Sequence, residues 1–285
     1  DGGVVNNLAN ATATVTIGTV NHAPTTADTS ASGAEDGGAI AIVLSGNDID
    51  GTVASFAITS LPTNGTLSTD AAGLNPVALN QLITASGNAA TLYFTPAANF
   101  NGAPSFQYAA IDNNGAQDAT PATATINITA VDDAPVATIT PTSYGPVNEQ
   151  TSLTLHGTGL SISDVDAGSG SLTVTLSVTE GTLNVTGGST GAGVSASGSS
   201  LVTITGTQTQ INNLLAGNGG ATVTYLDNTD TPSATVTLTL TVNDNGLTGT
   251  GGPLSASDTA TINITAVNDA PVATITPTSY GPVNE

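Results

Sequence analysis

The stretch TATINITAVDDAPVATITPTSYGPVNE, from Thr123 to Glu149, returns from Thr259 to Glu285 with one change, Asp132 becoming Asn268. A recurrence of this fidelity makes the chain a tandem array, in which each unit buries its own core and joins the next. A looser copy, TATVTIGTVNHAP, runs from Thr12 to Pro24 and sets Val20, Asn21 and His22 in the places of Val131, Asp132 and Asp133. The same join thus occurs three times, 111 and then 136 residues apart. The spacings predict the last strand of one repeat over 1–21, whole repeats over 22–132 and 133–268, and the first strand of another over 269–285. Both ends fall within a repeat, as expected of a section of a longer polymer.

Repeats of this length are large enough for independent cores. Trp, Met and Cys are absent, and Phe and Tyr number 4 and 5. Val, Ile, Leu and Ala must therefore build the core, with Thr on the alternate positions, a mixture that favours pleated strands over helices. No disulfide staples the fold. No apolar run approaches membrane-spanning length.

Charge narrows the possibilities further. Against 21 Asp and Glu there is no Lys or Arg, so His22 and His156 are the only side chains able to carry positive charge. Clustered carboxylates must draw their counter-charge from solvent ions. Nucleic acid and anionic membrane surfaces are poor partners for such a chain, because their phosphates call for basic contacts.

The first repeat reads as strands at 39–45, 53–60, 90–96, 105–111 and 122–131, separated by Gly, Asn, Asp and Pro. In the last of these Ile126, Ile128 and Ala130 share one face and Asn127 and Thr129 the other, the pattern of a sheet with one buried side. Tyr93, Phe94, Phe106 and Tyr108 read as core. Roughly seven strands per repeat predicts an antiparallel β-sandwich. The second repeat reads as strands at 152–162, 171–178, 201–206, 221–226, 235–242 and 258–267. One segment breaks the rule: in TQTQINNLLAG, Thr207 stands three residues before Gln210, Ile211, Leu214 and Leu215 have helical spacing, and Gly217 closes the run. These are a capping box, an apolar face and a C-terminal glycine, so a short helix is expected.

The joins VNHAP, VDDAP and VNDAP, together with ATLYFTPAANFNGAPSFQYAAIDNNG in the first repeat and LVTITGTQTQINNLL in the second, resemble the cadherin-like and bacterial Ig-like tandem domains of giant bacterial surface adhesins and secreted repeat proteins. The resemblance implies all-β, Ig/cadherin-like antiparallel sandwiches joined end to end, with Ca²⁺ at the junctions.

In such a sandwich the loop after the second strand and the loop before the last strand both lie at the top, beside the incoming linker. Asp48 and Asp50 of NDIDG, and Asp164 and Asp166 of SDVDAG, occupy the first loop. Asp1, Asp112 and Asp244 occupy the second. Glu35 and Glu149 follow the first strand, at the bottom. The junction between the whole repeats is thereby expected to gather Glu35, Asp132, Asp133, Asp164, Asp166 and Asp244. The upper junction gathers Asn21, His22, Asp48, Asp50 and Asp112, and the lower one Glu149, Asn268 and Asp269, with Asp227 and Asp230 nearby. Like charges at contact cost from about 1 kcal/mol in bulk water to about 4 at an intermediate dielectric. At the junction between the whole repeats, hard oxygen ligands without His or Cys point to Ca²⁺, which takes 6–8 oxygens in flexible geometry. Isolated Asp70 and Asp118 read as ordinary turn residues.

Little else suggests chemistry. His156 alternates with Leu153 and Leu155 along a strand and reads as structural, and no Ser-His-Asp set is available. The sequons at Asn10, Asn64, Asn127, Asn184 and Asn263 are possible glycan acceptors. The expected function is a non-enzymatic, Ca²⁺-rigidified segment of an extracellular bacterial adhesin or fibre, whose partners are the neighbouring repeats. The alternatives are a self-associating filament subunit, pairing with other copies of itself, and a glycan- or protein-binding module.

Overall fold

The structure is a computed structural model that describes residues 20–274 together with Gly18 and Gly281. The strand expected over 1–17, with Asp1, and most of the segment expected to open a following repeat lie outside the described residues. The chain divides into two compact units, Asp1–Thr129 and Ala130–Glu285.

Unit 1 is a sandwich of a four-stranded and a five-stranded sheet. The four-stranded sheet runs Thr25–Thr26, Ile40–Asn47, Ala89–Pro96, Gly65–Ser68; the five-stranded sheet runs Thr29–Ala34, Ala122–Thr129, Ser105–Asp112, Val53–Ile58, Leu82–Thr84. The alternation in the sequence sorts one face inward: Ile42, Leu44, Leu92 and Phe94 from one sheet meet Phe56, Phe106, Tyr108 and Ile126 from the other. Tyr93 differs from expectation. It points away from that core and is half-buried, as its odd place between inward Leu92 and Phe94 requires.

The four strands not foreseen in unit 1 are short or poor in large apolar side chains. The two earliest are halves of one strand that changes sheet. Thr25–Thr26 pairs antiparallel with Ile40–Asn47, and Thr29–Ala34 pairs parallel with Ala122–Thr129. The crossing at Ala27 is fixed by the Tyr108 hydroxyl, which donates to the Ala27 carbonyl at 2.6 Å. Asp118 fixes it again, accepting from the Thr26 N–H and hydroxyl, both at 2.7 Å.

Unit 2 repeats this plan at larger size. Its main sheet has six strands in the order Ser143–Asn148, Ser255–Thr265, Thr235–Asn243, Leu172–Val178, Leu201–Gly206, Gly193–Ser195. Facing it are a three-stranded sheet, Leu153–Thr154, Thr222–Leu226, Thr182–Thr186, and a pair, Val136–Ile139 with Leu160–Ser163. Here too the first strand changes sheet: Val136–Ile139 is antiparallel to Leu160–Ser163, and Ser143–Asn148 runs parallel to Ser255–Thr265. The single strand expected over 152–162 is two short ones. Gly157 and Gly159, both at positive φ, turn the chain between them. At Gly159 (φ 104°) a Cβ would run into the Thr140 backbone, so this turn requires glycine.

The helix forms where the capping box placed it, over Gln208–Leu215, with Thr207 as N-cap. The Thr207 hydroxyl accepts from the Gln210 N–H at 3.3 Å and the Gln210 side chain accepts from the Thr207 N–H at 2.9 Å. Ile211, Leu214 and Leu215 enter the core, and Gly217, with φ 79°, ends the turn. Asn212 on the other face brackets Ile162, accepting from its N–H at 2.9 Å and donating to its carbonyl at 2.8 Å. The helix is thus bonded to the strand that leads into SDVDAG.

Candidate metal centres

The two units build the same acid-rich end from equivalent residues. In unit 1 the loop after Ile40–Asn47 turns on Asp48, whose Oδ1 accepts from the Asp50 N–H at 3.3 Å. In unit 2 the loop after Leu160–Ser163 turns on Asp164, whose Oδ1 accepts from the Asp166 N–H at 3.2 Å and the Ala167 N–H at 3.1 Å. The second Asp of each pair takes the incoming chain: Asp50 accepts from the His22 N–H at 3.1 Å, and Asp166 from the Asp133 N–H at 3.0 Å. The third member is buried in both, Asp112 at 2% exposure and Asp244 at 1%. Asp112 Oδ1 accepts from the Asn114 and Ala116 amides at 2.8 Å. Asp244 Oδ1 accepts from Gly246 at 2.7 Å and Leu254 at 2.8 Å.

The ends differ at two adjacent positions of the incoming chain, Asn21 and His22 in unit 1 against Asp132 and Asp133 in unit 2. In unit 1 the Asn21 amide donates to Asp112 Oδ2 at 2.7 Å and its oxygen accepts from the Asn114 amide. His22 Nδ1 lies 2.9 Å from Asp50 Oδ2, a contact that holds the Asp50 carboxyl below its ordinary range. Burial pushes Asp112 upward, yet the Asn21 bond and the surrounding amides prevail and hold it low. One oxygen here is out of water without a donor, Asp48 Oδ2.

In unit 2 the equivalent of Asn21 is Asp132, 7% exposed, with neither carboxylate oxygen hydrogen-bonded. Asp164 Oδ2 is likewise buried and without a donor. Burial first, then the charges of Asp244 and Asp166, push the Asp132 carboxyl above its usual value. The opposing Thr248 amide falls short of a hydrogen bond. Asp164 is pushed up to about 6, by burial and then by Asp166. These groups act on one another electrostatically without forming a closed shell: among the described residues no three His, Asp or Glu side chains stand as a ready cage for a metal ion.

Three features that position these carboxylates were not anticipated. Gln208 accepts from the Asp164 N–H at 2.8 Å and so ties the Asp pair to the first turn of the helix. Asn212, one turn on, does the same for Ile162. The third is the loop from Asp244. It covers 244–254 where its counterpart covers 113–121, and the strand after it is longer too, Ser255–Thr265 against Ala122–Thr129. The extra length folds over the incoming chain. The Thr250 N–H donates to the Ala130 carbonyl at 2.9 Å and the Asp132 N–H donates to the Thr250 carbonyl at 3.3 Å. That cover is why Asp132 is buried while Asn21 is exposed. The signals were present as a polar pair at i and i+4 on the helix and as the difference in loop length.

At the opposite end of each unit a buried glutamate closes the first-strand segment. The Glu35 N–H donates to the Thr129 carbonyl at 3.0 Å, and Asn101 Nδ2 reaches Glu35 Oε2 at 3.4 Å. The Glu149 N–H donates to the Thr265 carbonyl at 3.1 Å and its Oε1 accepts from the Val267 N–H at 2.5 Å, leaving Oε2 buried without a donor. Asn268 and Asp269 are exposed. Asp227 nearby is spoken for by Tyr225 and Thr229, and Asp230 accepts from Gln150 at 3.1 Å. Asp70 is a turn residue bonded to local amides, whereas Asp118, expected to be one as well, is buried and reaches beyond its turn at Thr120 to Thr26. His156 is structural, its Nδ1 accepting from the Val223 N–H at 3.1 Å.

Fold and site define the class: β-sandwich units with acid-rich ends. Residues 21–129 match the family model described as a bacterial Ig domain. Among solved structures the chain is similar to human CDH23 EC21-23, with a TM-score of 0.44 and 16% identity over 86% of this chain and 70% of that one. It is similar also to Drosophila N-cadherin EC1-4, with a TM-score of 0.42 and 14% identity over 86% and 50%. For the protocadherin gamma B2 extracellular cadherin domains 3-6 the TM-score is 0.41, with 15% identity over 86% and 48%. The chain spans about half the length of the last two structures. No curated protein matches it. No helix among the described residues is long and apolar enough to cross a membrane.

Proposed function

We propose that this chain is a non-enzymatic spacer segment of an extracellular bacterial adhesin or fibre, in which a sandwich end whose carboxylates lack an internal donor binds Ca²⁺. The observation that carries the reading is Asp132: a carboxylate almost wholly buried, with both oxygens lacking a donor, beside Asp164, Asp166 and Asp244 in a chain with no Lys or Arg. An isolated buried carboxylate is costly unless a counter-charge or proton relieves it. Hard oxygens in a loop-built site suit a divalent cation of Ca²⁺ type.

In unit 2, Asp132, Asp164, Asp166 and Asp244 would hold the ion, with Asp133 alongside. In unit 1, Asp48, Asp50 and Asp112 take the equivalent places, but there the Asn21 amide is already bonded to Asp112 and to Asn114. Glu149 with Asn268 and Asp269, and Glu35 in unit 1, are candidate ligands at the opposite ends. Bound Ca²⁺ supplies the positive charge that these residues lack. The residues themselves do the mechanical part: the Asp166 carboxylate and the Thr250 backbone grip the chain entering unit 2, so neutralising the cluster makes that grip firmer. An ion bound only by the folded end stabilises it by about 1.4 kcal/mol per tenfold excess over its dissociation constant. Extracellular modules commonly bind Ca²⁺ near 10⁻⁴–10⁻³ M, which would leave the segment loose in a cell and firm outside it.

Thermal unfolding in millimolar Ca²⁺ and in EDTA, with small-angle scattering of the same samples, tests this. The expected outcome is a higher midpoint and a more extended particle in Ca²⁺. Identical midpoints and profiles would show that the acidic ends are solvated turns.

A further inference from the structure

The equivalent residues Asn21 and Asp132 do opposite things with the same position. The Asn21 amide donates to Asp112 Oδ2 at 2.7 Å and its oxygen accepts from Asn114, so the carboxylate that Asp132 would confront in unit 2 is already answered in unit 1. Asp132 carries no donor, and its own two oxygens find none although it is more than nine-tenths buried. The surrounding frames share an Asp pair that accepts from the incoming backbone, a first-Asp Oδ2 without a donor, and a buried third Asp bonded to loop amides; beside them His22 Nδ1 lies 2.9 Å from Asp50 in unit 1 where unit 2 has Asp133. The residue type at this position is also the single change between the two otherwise identical stretches, Asp132 against Asn268.

We infer that this position selects between two kinds of unit end: with Asn the end is closed by an internal amide and is independent of divalent cations, and with Asp it is closed only by a cation. Unit 1 is of the first kind and unit 2 of the second. The inference rests on the Ca²⁺ reading for the unit 2 half and adds which end responds and why. An amide and a metal ion do the same job here. Each places positive charge or a donor against Asp112 or Asp244, and the amide does so without taking anything from solution.

The test uses the whole chain and two reciprocal variants, Asp132→Asn and Asn21→Asp, with hydrogen exchange read separately at the 130–135 and 20–26 backbone amides in EDTA and in Ca²⁺. In the wild type, Ca²⁺ slows exchange at 130–135 by about tenfold or more and leaves 20–26 unchanged, tenfold being about 1.4 kcal/mol of closing. Asp132→Asn is expected to be protected at 130–135 already in EDTA and to lose the Ca²⁺ response. Asn21→Asp is expected to lose protection at 20–26 in EDTA and to regain it in Ca²⁺.

A wild type silent to Ca²⁺ at 130–135 removes the Ca²⁺ reading, whereas the gain of Asp132→Asn in EDTA judges the amide substitution by itself. Asp132→Asn without that gain, or a wild-type unit 1 as responsive as unit 2, overturns the inference. Should either variant fail to fold, the other decides it in the same way.

Discussion

At the scale of single residues, the same carboxylate chemistry gives the two units opposite responses to acid. Asp164 is pushed up to about 6, above its ordinary 3.8, by burial and Asp166. Between those values the metal-free folded state binds more protons than the unfolded one, so unit 2 gains stability as pH falls through about 6. Asp112 is held low despite its burial, by Asn21 and loop amides. Its contribution is present above the ordinary carboxylate value and is lost as pH falls below it. Exchange corrected for intrinsic rates should therefore show the Asp133 amide better protected at pH 5 than at pH 7 in EDTA, with the Asn114 amide unchanged until about pH 4 or lower. Parallel behaviour at both amides would contradict these assignments. Gly249 provides a second check. At φ 94° its Cβ would lie 2.6 Å from the Asp132 nitrogen, so Gly249→Ala should cost about 1–3 kcal/mol and release the Thr250 amide to exchange. Urea unfolding of that variant with a wild-type midpoint would show that the loop does not clamp the incoming chain.

At the scale of elements, legibility followed periodicity. Ile40–Asn47, Ala89–Pro96 and Thr235–Asn243 alternate strongly and were plain in the sequence, as was the helix, because a capping box and three apolar residues at helical spacing agree. Thr25–Thr26, Gly193–Ser195 and Leu82–Thr84 were not, because strands of two or three residues carry no pattern and exist through their partners. The acidic residues could be assigned to loops from topology, since Asp48, Asp112, Asp164 and Asp244 follow recognisable strands. Their partners could not be assigned: Asn212 and Gln208 act across a sequence separation of 50 and 44 residues. These give graded expectations. Thr207→Ala removes one cap and should cost about 1 kcal/mol. Asn212→Ala leaves both polar groups of Ile162 without their partner and should cost more, at about 1–3 kcal/mol for each group left unpaired. Chemical denaturation ranks them, and an equal or reversed order would mean that the helix is held by its apolar face alone.

At the scale of the whole molecule, two cores are built separately, one around Phe56, Phe106 and Tyr108 and one around Leu176, Leu238 and Leu240. Leu176→Ala opens a cavity in the second and should cost about 2–5 kcal/mol. Exchange should register that loss in the buried strands of residues 130–274 and leave those of residues 20–129 near wild type; equal loss in both would mean that the units unfold as one. One feature shared by the units has a mechanical reading. In each, the strand near the entry lies beside the strand at the exit and parallel to it: Thr29–Ala34 against Ala124–Thr129, and Ser143–Asn148 against Thr261–Thr265. Tension that draws entry and exit apart then slides these strands past each other and loads their hydrogen bonds together, rather than peeling them away one at a time. Such a unit resists stretching in proportion to the number of bonds in that ladder, so a chain of them would behave as a load-bearing cord.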